Sequence, residues 1–134
     1  MARLGELIDA STLPGFVAWN GDERVGLLTY AVRVDEFEVV SISTDEPGRG
    51  AGRALMDAAV AEARTQASTR LWLTTTNNNR RAREFYERWG MTVARVHRDS
   101  VRASRAVKPS IPEVDVAGVP IADELEYELR LEPA

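Results

Sequence analysis

Residues 38–64 read EVVSISTDEPGRGAGRALMDAAVAEAR. A β-branched run from Val39 to Thr44 meets a turn holding Gly48, Gly50 and Gly52, and an alanine-rich stretch follows. Valine, isoleucine and threonine suit a strand, whereas alanine is the best helix former. The reading is strand, glycine turn, helix. That is the local layout of an anion site. Glycines let backbone N–H groups converge, and the helix dipole favours negative charge at its start. A P-loop is excluded because Arg53-Ala54 stands where Lys-Ser/Thr is needed. A dinucleotide fingerprint is excluded because the glycine spacing is wrong and the next strand ends in Asn77. Taken alone, the turn is also compatible with a simple chain reversal.

Working outward, the helix from about 50 to 66 carries Leu55, Met56, Ala59, Val60 and Ala63 as its buried stripe. Upstream, FVAW (16–19) and VGLLTYAV (25–32) flank Asn20-Gly21-Asp22-Glu23, a hairpin signal. A turn at Asp35-Glu36 leads into a third strand at 37–44. Residues 3–10 predict a short helix with Leu4, Leu7 and Ile8 on one side. Downstream, LWLTTT (71–76) is a buried strand, parallel to the third because a helix joins them. A helix over about 80–89 follows, with Gly90 as its C-terminal cap, then a strand at 91–98. Residues 99–123 give a short helix and a Pro/Val-rich stretch. At 124–131, Leu125, Tyr127, Leu129 and Leu131 alternate with Glu124, Glu126, Glu128 and Arg130, which predicts a strand with one wet face.

The whole chain sets bounds on function. Its 134 residues fit one domain spanning 1–134. A net charge of −4 argues against a nucleic-acid partner. There is no cysteine, which removes disulfides, a thiol nucleophile and cysteine metal sites, and the single histidine, His97, removes a two-histidine metal site. No metal is expected. No apolar run reaches the length of about 18 residues needed for a membrane span, and no signal-peptide core is present, so the expected location is cytoplasmic.

A second segment, NNNRRAREFYERWGM (77–91), narrows the choice of anion. Pro47-Gly48-Arg49-Gly50-Ala51-Gly52 fits the pattern Gln/Arg-x-x-Gly-x-Gly/Ala at both glycines, with Pro47 in the place of Gln or Arg. Asn79, Ala82, Tyr86 and Gly90 fit Asn-x-x-Ala-x-x-x-Tyr-x-x-x-Gly-Phe, with Met91 in the place of Phe. With these two motifs in this order, the chain resembles the GNAT superfamily of acetyl-CoA-dependent N-acetyltransferases over about residues 16–98, with 124–131 as the family's last strand. The resemblance implies an α/β fold with a mixed, mostly antiparallel twisted sheet and helices on both faces. The family fold begins with a strand and two helices ahead of its first hairpin. Only about 15 residues stand there, so the first strand is expected to be missing.

The resemblance also implies roles. Acetyl-CoA would be the acetyl donor, and a primary amine of a small molecule or protein the acceptor, attacking directly in a ternary complex. Backbone N–H groups of Arg49, Gly50, Ala51, Gly52, Arg53 and Ala54 would hold the pyrophosphate. Ile42, Ser43 and Thr44 would pair with the pantetheine arm like an added strand, where the third and fourth strands splay. Asn79 would hydrogen-bond the cofactor, and Tyr86, as general acid, would protonate the leaving thiolate. Glu38 is the candidate base; a water chain is the alternative. Arg80, Arg81 and Arg83 form a wet helix face with possible reach to the 3′-phosphate, and His97 reads as a surface residue. The competing function is a non-catalytic acyl-CoA-binding or sensing module. Without the first strand, the strand starting near Phe16 becomes an edge that favours a homodimer.

Overall fold

The structure, a computed structural model, describes residues 1–45 and 50–132. Gly48 and Arg49 of the glycine turn therefore lie outside the described residues. In chain order the elements are β1 (Ala2–Arg3), β2 (Glu6–Leu7), a 3-10 turn (Ala10–Thr12), β3 (Gly15–Asn20), β4 (Glu23–Arg33), β5 (Glu36–Thr44), α1 (Ala51–Thr65), β6 (Arg70–Thr76), α2 (Arg80–Trp89), β7 (Thr92–His97), α3 (Val101–Val107) and β8 (Glu124–Arg130). β3–β4, β4–β5 and β7–β8 pair antiparallel, and β5–β6 pairs parallel. These strands and three helices make the mixed, mostly antiparallel α/β architecture expected. The chain forms two compact units, Ala10–Leu73 with the end from Leu129, and Met1–Asp9 with Thr74–Glu128.

In the first unit, β3 and β4 make the expected hairpin, with Asn20 opposite Glu23. The β4–β5 turn falls one residue earlier than the sequence suggests. Arg33 pairs with Glu36, leaving Val34-Asp35 at the tip. α1 packs on β3, β4 and β5. Its buried residues are Ala51, Leu55, Met56, Ala59, Val60 and Ala63, so the apolar stripe is oriented as read. Leu28, Phe37, Met56 and Leu71 are fully buried. Tyr30 stacks on Phe37 at 4.5 Å between ring centroids.

In the second unit, α2 spans the predicted residues and ends at Gly90, whose φ of 117° places it in the left-handed region that glycine adopts without strain. Two expectations fail here. Residues 3–10 are not a helix: Leu4 and Gly5 take φ of 48° and 79°, turning β1 back on β2. The reason is tertiary. The Leu4 N–H donates to both carboxylate oxygens of Glu124 at 3.1 and 3.0 Å. The Gly5 N–H donates to Ser104 Oγ at 3.0 Å. Nor is the polar face of β8 wet at its start. Glu124 is buried, and it accepts from the Ser100 and Ser104 hydroxyls at 3.0 and 3.1 Å. A buried carboxylate needs such donors, because taking it out of water unpaired is prohibitive.

Candidate functional site

The first unit carries the strand and the glycine start of the helix. On β4, Thr29 and Tyr30 are consecutive, but their partners on β5 are Ser41 and Val39. Val40 is therefore an extra residue, a bulge that bends the strand and leaves one position out of the ladder. The parallel ladder to β6 runs only from Glu36↔Arg70 to Glu38↔Trp72, although β5 continues to Thr44. Ile42, Ser43 and Thr44 stay paired with Leu28, Leu27 and Gly26 on their β4 side. Beyond Glu38 the opposite edge of β5 has the geometry an extended ligand uses to add as a strand.

Gly50 caps α1 with φ 83°, a conformation that a side chain would strain. A Cβ there would meet nothing within 4 Å, so the demand for glycine is conformational rather than steric. The Ala54 N–H closes on the Gly50 carbonyl at 3.0 Å. Helix geometry leaves the N–H groups of Ala51, Gly52 and Arg53 pointing out of the first turn. Among the described residues no side chain caps them, and the first turn holds no acidic residue. An anion is the natural partner for that end. Beside it lies a cleft of about 400 Å³ lined by Trp19, Asn20, Glu23, Asp45, Ala51 and Ala54. Glu38 sits in register between Ala31 and Trp72, and only 5% of it is exposed, so it does not lie on a solvated strand face.

The second unit carries the helix of the second motif. Asn79 is the N-cap of α2: its Oδ1 accepts from the Ala82 N–H at 3.3 Å. The amide NH₂ still offers donors. Tyr86 is buried against Phe85 and Tyr127, with ring centroids 5.6 and 5.8 Å away. Burial, with the neighbouring Tyr127, pushes its pKa up to about 12. The hydroxyl therefore carries its proton at neutral pH. Arg83 departs from the wet-face reading. It turns inward, with Nε donating to Tyr127 Oη and Nη1 to the Asn77 carbonyl, both at 3.3 Å. Arg80 remains exposed and pairs with Glu84 at 3.0 Å. His97 is not a free surface residue either; it lies 2.9 Å from Glu126.

Sequence reading placed Tyr127 only in the apolar row of the last strand. Strand alternation marks its ring as inward, but nothing in the spacing says that its hydroxyl meets an arginine from α2. Asn77 was likewise unread. Its side chain accepts from Ala122 and Asp123 N–H and donates to the Pro120 carbonyl, fixing the end of the loop that leads into β8. Among the described residues no group of three or more His, Asp or Glu is placed to hold a metal, and no helix is long and apolar enough to cross a membrane.

Comparisons with known proteins agree with this layout. The model of the Acetyltransferase (GNAT) family matches residues 2–91, beginning ahead of the span that the two motifs cover. The Bacillus subtilis protein YdhI, itself uncharacterized, is 33% identical over 128 residues, 95% of this chain and 80% of its own length. Among solved structures, a Bacillus subtilis acetyltransferase in complex with CoA superposes with a TM-score of 0.73 at 21% identity, over 87% of this chain and 75% of that one. A GNAT family acetyltransferase from Elizabethkingia anophelis with acetyl-CoA bound gives 0.72 at 18% identity, over 86% and 74%. At these identities the structural likenesses establish the fold.

Proposed function

Because the chain belongs to the GNAT acetyltransferase family, we propose that it moves an acetyl group from acetyl-CoA to a primary amine of a small molecule or a protein, by direct attack in a ternary complex. The observation that carries this reading is the start of α1. It is a glycine-capped helix end with outward N–H groups and no acid in its first turn, and it follows a strand that leaves its parallel neighbour after three pairs. Gly50, Ala51, Gly52 and Arg53, with Arg49, hold the pyrophosphate; Ala54, expected to join them, drops out because its N–H is taken by the Gly50 carbonyl. Ile42, Ser43 and Thr44 offer backbone to the pantetheine arm, and Asn79 offers its amide.

In the chemical step the amine nitrogen attacks the thioester carbon, the carbon–sulfur bond breaks, and sulfur keeps the electron pair. Tyr86, protonated at neutral pH, gives its proton to that sulfur. Glu38, or water near it, receives the proton that the amine sheds. The burial of Glu38 favours the second reading, an acyl-CoA-binding module without turnover. Calorimetry with acetyl-CoA tests the site. Gly52→Glu puts bulk and like charge beside the pyrophosphate, and affinity should fall at least tenfold; equal affinity in both proteins would move the site elsewhere. Binding without CoA release across an amine panel would select the module. The same reading takes the protein as a cytoplasmic homodimer.

A further inference from the structure

The parallel pairing in the first unit ends in a fork, and the fork has a floor. Glu36↔Arg70, Phe37↔Leu71 and Glu38↔Trp72 are paired; beyond Glu38, among the described residues, β5 runs on to Thr44 without β6. The arm of CoA between pyrophosphate and sulfur spans about 16 Å when extended, about five residues of strand. Laid along β5 from the α1 start past Thr44, it brings its sulfur to Val39, next to the last pair of the ladder. The acyl group then meets the base of the fork. Straight ahead, the strands are hydrogen-bonded to each other and leave no gap. To one face, Phe37 and Leu71 stand side by side, both fully buried. Successive strand residues point to opposite faces, so Glu38 and Trp72 stand on the other. The Trp72 ring is half-buried, and it is backed. Arg70, on the same face two residues earlier, has its Cζ 5.4 Å from the ring centre. Its Nη1 is held by Glu36 at 3.2 Å. A guanidinium over an indole face is an attractive pair, so the ring has a fixed neighbour behind it.

We propose that Trp72, backed by Arg70, is the residue that limits the size of the acyl group, so that the site takes an acetyl group and rejects longer acyl chains. The inference rests on the acetyl-CoA reading and adds a selectivity to it. An acetyl methyl ends at the base of the fork and needs no room beyond. Each further methylene has to turn toward the face of Glu38 and Trp72, because the ladder and the Phe37–Leu71 face are filled. Glu38 is only 5% exposed and offers no space of its own. The indole ring is therefore the group that must move. Moving it costs the Arg70 contact and forces packed side chains apart, which a close-packed interior resists. A smaller residue at position 72 takes the wall away and leaves Tyr86 and Glu38 in place.

Calorimetry with free CoA, acetyl-CoA and hexanoyl-CoA tests this, each thioester being compared with free CoA, which carries no acyl group. The wild type should bind hexanoyl-CoA roughly ten- to a hundredfold more weakly than acetyl-CoA. Trp72→Ala should bring the two thioesters within about threefold of each other, and Trp72→Phe should fall between. Equal affinity of the wild type for both thioesters overturns the inference. So does undiminished discrimination in Trp72→Ala. Either result leaves the acetyl-CoA reading standing, provided that acetyl-CoA binds and Gly52→Glu weakens it. A wild type that binds no acetyl-CoA, or a Gly52→Glu variant that binds it equally well, overturns that reading instead. Thermal melts check folding. If Trp72→Ala unfolds, Trp72→Leu, which keeps an apolar side chain in the strand, carries the test.

Discussion

Tyr86 illustrates what one residue reveals and what it conceals. Its place seven positions after Asn79 marks it from sequence; its partner Tyr127, 41 positions further on, is visible only once β8 is folded. Tyr86→Phe should lower kcat by roughly ten- to a thousandfold with acetyl-CoA affinity little changed, read in single-turnover assays. The same residue sets an alkaline limit on stability. Unfolded tyrosine ionises near pH 10, whereas folded Tyr86 keeps its proton to about 12. The unfolded state therefore binds fewer protons in that window. The stability this group contributes is complete below about pH 10 and falls away as pH rises toward about 12. Denaturant melts across this range should show a shallower decline in Tyr86→Phe. Val34 is a second telling residue. It is β-branched, sits at φ 55° and is 97% exposed, so it bears strain with no packing in return. Val34→Asn should stabilise by about 1 kcal/mol in chemical denaturation, because asparagine visits that region readily.

At the scale of elements, α2 was legible because its start and stop are both local. An asparagine caps one end and a glycine the other, and the inward stripe repeats at helical spacing. Asn79 serves both as cap and as candidate ligand contact, and the two roles separate by substitution. Asn79→Ala should cost about 1 kcal/mol of stability. Asn79→Asp keeps the capping oxygen and loses the amide donors, so stability should hold while acetyl-CoA affinity falls in calorimetry. The N-terminal segment misled for the opposite reason. Leu4, Leu7 and Ile8 have helical spacing, but the backbone of Leu4 and Gly5 is claimed by Glu124 and Ser104, about a hundred positions away. The bulge at Val40 was equally hidden. Val39-Val40-Ser41 reads as plain strand, and only the register against β4 shows the extra residue. Deleting Val40 leaves Val39 and Ser41 opposite their present partners and removes the bend. That variant should fold and bind acetyl-CoA at least tenfold more weakly, as calorimetry would show.

At the scale of the whole molecule, the fold class was legible from two motifs and the order of strands, while the assembly was not. β3 exposes Val17 (38%) and Trp19 (62%), and β4 exposes Leu27 (37%) directly opposite Val17. An apolar stripe on a hairpin of this kind favours association. Sedimentation at micromolar concentration should give twice the monomer mass, and Trp19→Glu should return the monomer; a wild-type monomer would refute the dimer. β8 has a different consequence, in time rather than space. Its first residues complete the unit built on Met1–Asp9 and Thr74–Glu128. Its last belong to the other unit, where the Leu131 N–H bonds the Thr69 carbonyl at 2.9 Å. During synthesis, neither unit has all its parts until β8 has left the ribosome. The Leu4 N–H waits for a carboxylate made 120 residues later. The nascent chain therefore emerges with its apolar strands uncovered, dependent on whatever holds them apart until β8 is released.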